Sequence, residues 1–222
     1  MKYYSIAIDG PAGAGKSTIA KKVAKHFNYI YVDTGAMYRA LALYFIRNNI
    51  SASDKENIEI ACNNADITIE YIDGEQQVFL NGENVSGLIR TEEVGEMASA
   101  SSVYPVVRLK LVQLQRSLAM KTNVVMDGRE IATFVLPDAD LKIYLTAGSM
   151  ERARRRYLEL QERGISADIN EIENDIIERD KRDMNREFAP LKQAADAIFV
   201  DSSDMTIDEV ADTIIKHFEQ LN

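Results

Sequence analysis

The stretch IAIDGPAGAGKST, residues 6–18, constrains this chain more than any other. An apolar run closes at Asp9. Gly10, Pro11, Ala12, Gly13, Ala14, Gly15, Lys16 and Ser17 then satisfy G-x-x-x-x-G-K-[ST], and Thr18 continues into a helical pattern. Glycines allow a backbone to wrap closely around phosphate oxygens, while loop N–H groups and a helix N-terminus supply partial positive charge. Lys16 is placed to reach the β- and γ-phosphates, and Ser17 to ligate Mg²⁺. The motif has meaning only between a strand and a helix. Both are predicted here, from YYSIAI (3–8) and from Ile19, Ala20, Val23, Ala24 and Phe27 at helical spacing in 17–28. The expected ligand is a nucleoside triphosphate with Mg²⁺. No N-K-x-D motif for reading guanine occurs, which favours ATP, and no organic cofactor is expected.

The rest of the chain repeats the alternation. YIYVD (29–33), NVVMD (123–127), LKIYLT (141–146) and AIFVD (197–201) are near-continuous apolar runs, suited to strands buried on both faces of a parallel sheet. Helical patterns fall at 36–48, 106–121, 149–162, 169–188 and 206–220, the last with a capping box of Thr206 and Glu209. This predicts an α/β fold with a five-stranded parallel sheet flanked by helices. One segment departs from it. DITIEYI (66–72), Asp73-Gly74, QQVFL (76–80) and Asn81-Gly82 read as an inserted antiparallel meander covering about 62–90.

Net charge is −9, which argues against nucleic-acid or anionic-membrane partners. No apolar run approaches the ~18 residues of a membrane span. The start, MKYYSIAIDG, has no signal-peptide core, and a lone cysteine, Cys62, fits a reducing compartment, so a cytoplasmic location is expected. His26 and His217 have no metal-ligand spacing and are read as non-functional. Arginine is distributed unevenly: nine of fourteen lie between Arg129 and Arg186. From composition alone this is either a local anion site or a basic surface balanced by nearby acids.

Three further motifs, VDTGAMYRA (32–40), DGREIAT (127–133) and ERDKRDMNR (178–186), stand in order behind the phosphate loop. Together with the inserted meander, over nearly the whole chain, they resemble the bacterial cytidylate kinases, P-loop nucleoside monophosphate kinases. The resemblance implies a core over 1–61, 91–148 and 189–222. It places part of a monophosphate-binding domain at 62–90, and a mobile helical lid with a substrate-facing helix at 149–188. It implies ATP and CMP or dCMP as partners, in a monomer. The acceptor is a phosphate oxygen whose second pKa is about 6, so no general base is required; positioning and charge neutralisation suffice. An acceptor such as UMP is the competing reading.

The same resemblance assigns the site. Arg39 and Arg129 clamp the acceptor phosphate, and Thr34 contacts substrate. Ser99, Arg108 and Glu130 read the base, a carboxylate accepting from the cytosine amino group where uracil has an oxygen. The family pattern has Asp at position 130 and Gly at 132; this chain has Glu130 and Ala132. Asp127 either supports Mg²⁺ or anchors its loop. Arg152, Arg155 and Arg156 share a helix face, from which Arg155 and Arg156 reach ATP phosphates on lid closure. At about 100° per residue, Arg179, Arg182, Asp183 and Arg186 share another face, with Glu178, Asp180 and Lys181 expected in solvent. On that face the resemblance implies Arg179 and Asp183 on the sugar, Arg186 on phosphate or base, and Arg182 on the transferring phosphates.

Overall fold

The structure, a computed structural model, describes residues 2–221. Five parallel strands form the central sheet: β1 (Ser5–Asp9), β2 (Ile30–Asp33), β6 (Val124–Gly128), β7 (Leu141–Thr146) and β8 (Ile198–Asp201), in the order β2-β6-β1-β7-β8. Side chains alternate across it. Ile6, Ile8 and Val125 face one apolar core, with α1 (Lys16–Phe27) and α8 (Ile207–Glu219). Ala7, Val124 and Met126 face the other, with α2 (Thr34–Arg47), α3 (Lys55–Asn64) and α5 (Pro105–Ala119). Both faces are covered, which is why these strands read as continuous apolar runs.

A separate three-stranded antiparallel sheet contains β3 (Ile67–Ile72), β4 (Glu75–Leu80) and β5 (Glu83–Asn84). Asp73 and Asn81, at φ 53° and 49°, begin its two turns, each followed by glycine. Ile67, Val78 and Leu80 enter the same core as α2. The Gln76 side chain also accepts from Asp33 N–H at 2.9 Å and donates to Asp33 C=O at 3.1 Å, completing the backbone bonding at the end of β2.

The five strands, the meander and the six helical patterns are all present. Two helices lacked a strong apolar rhythm and were not anticipated: α3, and α4 (Glu92–Ser101). Their signal is in their caps. Asp54 accepts from Asn57 N–H at 3.1 Å, and Thr91 from Val94 N–H at 3.4 Å. A π-helical turn at Ile131–Val135 was likewise unanticipated. The remaining helices are α6 (Ser149–Glu162) and α7 (Ile169–Met184); the capping box at Thr206 and Glu209 forms as expected.

Gly10 shows why β1 must leave the sheet on a glycine. Its φ is +153°, and a Cβ there would sit 1.9 Å from the backbone oxygen of Leu145. No helix among the described residues is long and apolar enough to cross a membrane.

Candidate active site

The carboxyl ends of β1, β2 and β6 open into one cleft of about 790 Å³, the place where open α/β sheets present their ligand sites. Ala12 to Thr18 line one wall. Gly10 and Pro11 lie behind that lining, with the Pro11 carbonyl accepting from Lys16 Nζ at 2.7 Å. Lys16 is buried, and its amine is held well below the usual lysine range, first by desolvation and then by the Arg129 charge. The amine is held inside the loop, where a bound anion would favour its charged form.

Asp127 is buried at the foot of the loop. Its carboxylate accepts from Ser17 Oγ at 2.9 Å and Tyr31 Oη at 2.8 Å, while its carbonyl accepts from Thr34 Oγ1 at 2.6 Å. Here it anchors three segments. Burial raises its carboxyl above the ordinary range. A hydroxyl and a carboxylate side by side are hard oxygen donors, and they fit a Mg²⁺ whose other ligands are phosphates and water.

Opposite the loop stands a wall of arginines. Arg39 comes from α2, Arg129 from the end of β6, Arg179 from α7 and Arg186 from just beyond α7. Arg129 Nε donates to Asp183 Oδ2 at 2.9 Å. Arg179 Nε and Arg186 Nη2 are buried without hydrogen-bond partners. Arg179 is lowered to about 10, first by burial and then by Arg129; Arg39 is lowered by burial and then by Arg90. Crowded cations with unspent donors describe a site completed by an anion. Arg90, which also lines the cleft and pairs with Asp33 at 2.6 Å, was not anticipated.

At the inner end, Arg108 and Glu130 form a buried ion pair, with Tyr38 Oη donating to Glu130 Oε1 at 3.1 Å. Glu130 Oε2 lies 3.9 Å from Arg186, beyond hydrogen-bond range. Burial raises the Glu130 carboxyl. Thr34 and Ser99 line the cleft nearby. Asp9, also unanticipated, is buried and accepts from two backbone N–H groups; burial pushes it up to about 7.

The charged residues of α6 and α7 are not placed as helical phase alone predicts. Asp180 is not in solvent: it is 7% exposed and pairs with Arg152 at 2.7 Å. The inward residues of α7 are Ile176, Asp180 and Asp183, so the buried arc is rotated about 80° from the arginine-centred one. That rotation leaves Arg182 exposed and outside the cleft lining. Arg152 is not part of the cleft lining; it donates to Ala147 C=O at 2.9 Å and to Ala12 C=O at 2.8 Å, supporting the phosphate loop from behind. On the same helix Arg155 lines the cleft and bonds the Ser202 carbonyl at 2.8 Å, whereas Arg156 is exposed beside Glu159. Arg186 lies past the end of α7, yet turns back to bond the Asp183 carbonyl at 3.2 Å, so a loop rather than helical phase brings it in.

A phosphate loop facing a cationic wall across one cleft, on a five-stranded parallel sheet, defines an enzyme of the P-loop kinase class. A family model for cytidylate kinase matches residues 6–220. The chain belongs to the cytidylate kinase family. It is 50% identical over 218 residues to a cytidylate kinase of Caldicellulosiruptor bescii, covering 98% of this chain and 96% of that protein. It is 50% identical over 205 residues to one from Lactobacillus gasseri, covering 92% and 89%. In fold alone it is similar to a gluconokinase from Sinorhizobium meliloti, with TM-score 0.52 at 11% identity over 100% of this chain and 95% of that one.

Proposed function

We propose that the chain transfers the γ-phosphoryl group of ATP to CMP or dCMP, giving ADP and CDP or dCDP. The observation that carries this is the opposition of the phosphate loop to arginines with unspent buried donors. An acceptor phosphate oxygen forms a bond to the γ-phosphorus, the bond from that phosphorus to the β,γ-bridging oxygen breaks, and the electron pair leaves with ADP. No side chain takes a proton, because the acceptor is already largely ionised near neutral pH.

Loop N–H groups and Lys16 hold the triphosphate, with Lys16 exchanging the Pro11 carbonyl for phosphate oxygen. The apolar end of the cleft, at Leu158, Met205, Ile207 and Val210, takes the purine. Arg39 and Arg129 clamp the acceptor phosphate through guanidinium forks. Arg179 and Asp183 hold the sugar, while Glu130, Arg108 and Ser99 read cytosine. Ser17 and Asp127 would hold Mg²⁺, which supplies charge neutralisation on the phosphates when bound. Within residues 149–188 the lid helix α6 carries Arg155 and Arg156 toward the phosphates on closure and excludes water, while Arg182 serves the transferring phosphates from the substrate-facing helix α7. In this reading the enzyme is a cytoplasmic monomer with no nucleic-acid or membrane partner.

ADP release measured with CMP, dCMP, UMP, AMP and shikimate tests the proposal. The highest kcat/KM is expected with CMP or dCMP; faster turnover with any other acceptor overturns it. Glu130, one methylene longer than the family's Asp, is the reason to include UMP. Glu130→Gln is expected to narrow the preference for CMP over UMP by about tenfold or more, because an amide can donate to the uracil oxygen and a buried polar mismatch costs about 1–3 kcal/mol. An unchanged ratio would remove Glu130 from base reading.

A further inference from the structure

Glu130 sits at the start of the π-helical turn, where its carbonyl accepts from Phe134 N–H at 2.9 Å and Val135 N–H at 3.1 Å. Its side chain does not cap that turn; it is spent on Arg108 and Tyr38. The leading N–H groups therefore need a partner from elsewhere, since a buried orphan donor costs about 1–3 kcal/mol. Asp9 supplies it from a residue far away in sequence. Oδ1 accepts from Ile131 N–H at 2.8 Å and Oδ2 from Ala132 N–H at 2.7 Å. Asp9 is 1% exposed, ends β1, and is in register with Gly128 on β6. The next residue along, Gly10, begins the phosphate loop. One carboxylate thus caps the turn that carries Glu130 and adjoins the loop that holds the triphosphate. It also frees the Glu130 side chain to face the cleft.

We propose that Asp9 is a positioning residue for base selection: by capping the 131–135 turn from β1, it sets where the Glu130 carboxylate stands relative to the phosphate loop. This rests on the function proposed above. Asparagine is nearly isosteric but has one accepting oxygen, so one of the two N–H groups would meet an NH₂ donor and the turn must shift.

The test is kinetics on Asp9→Asn and on the smaller Asp9→Ser, each checked for folding by circular dichroism. For the folded variants, kcat/KM for CMP is expected to fall about 10–100-fold, as displacements near 1 Å can do. The CMP-to-UMP ratio should narrow, and KM for ATP should stay within about twofold. A general loss of structure would not produce that split. In a cycle with Glu130→Gln, Asp9→Asn should add little further narrowing of the ratio, because it acts through the same carboxylate. An unchanged ratio, additive effects in the cycle, or failure of both variants to fold would overturn the proposal. A wild-type enzyme inactive on CMP would instead overturn the function it rests on.

Discussion

Lys16→Ala is expected to lower phosphoryl transfer by about 10²–10³-fold or more, while leaving the ligand-free protein as stable as before. The two halves have different causes. Transfer falls because a preorganised cation in a water-poor site is lost at the phosphates where charge moves, the class of interaction that contributes most per group. Stability holds because the ammonium does not help the empty protein. It is buried, it donates to its own loop at Pro11, and desolvation and Arg129 both push it toward the neutral form. Truncation removes that electrostatic cost together with a few packing contacts. The sharpest readout is thermal. Wild type should gain Tm on adding ATP, as any ligand bound only by the native state requires. Lys16→Ala should begin at a similar Tm and gain far less. A variant with near wild-type turnover, or one that melts many degrees lower without ATP, would show that the lysine does structural rather than phosphate work.

What could be read in advance follows from how local each signal is. The phosphate loop was legible because its spacing, strand and helix lie within one short stretch, and the meander because Asp73-Gly74 and Asn81-Gly82 announce its turns. The five strands were legible because a sheet buried on both faces leaves no polar alternation. The site was less so. Arg129 is bonded to Asp183 and Glu130 to Arg108, each pair joining residues far apart in sequence, so neither contact has a local signature. Arg90 and Asp9 gave no local signal: one is an ordinary arginine after the meander, the other an ordinary acid at a strand end. On α7, helical periodicity gave the spacing of the charged face but not its absolute rotation. Rotation is set by what the helix packs on, here Arg152 of α6, and a charged residue such as Asp180 can be drawn inward by a buried partner.

That pair gives the largest expected loss of stability. Asp180→Ala is expected to cost about 3–5 kcal/mol, the range for removing one member of a buried ion pair and leaving the other charge uncompensated. In a chain of this size this is roughly a 6–20 °C fall in Tm at ~2–4 °C per kcal/mol. The Arg152 guanidinium would remain in place, bonded to Ala147 and Ala12 but lacking its counter-charge. Replacing both members, Arg152→Met with Asp180→Leu, should recover most of the stability, because apolar residues of similar volume commonly match a buried ion pair. It should not recover ATP affinity. The Ala12 carbonyl belongs to the phosphate loop, and Arg152 is the donor that meets it from behind at 2.8 Å; with methionine there, that end of the loop loses its tether. Chemical denaturation and ATP titration of the single and double variants separate the two effects. If Asp180→Ala costs less than about 1 kcal/mol, the pair is not buried in solution. If the double variant binds ATP as wild type does, the loop holds its shape without Arg152, and the pair's contribution is to stability alone.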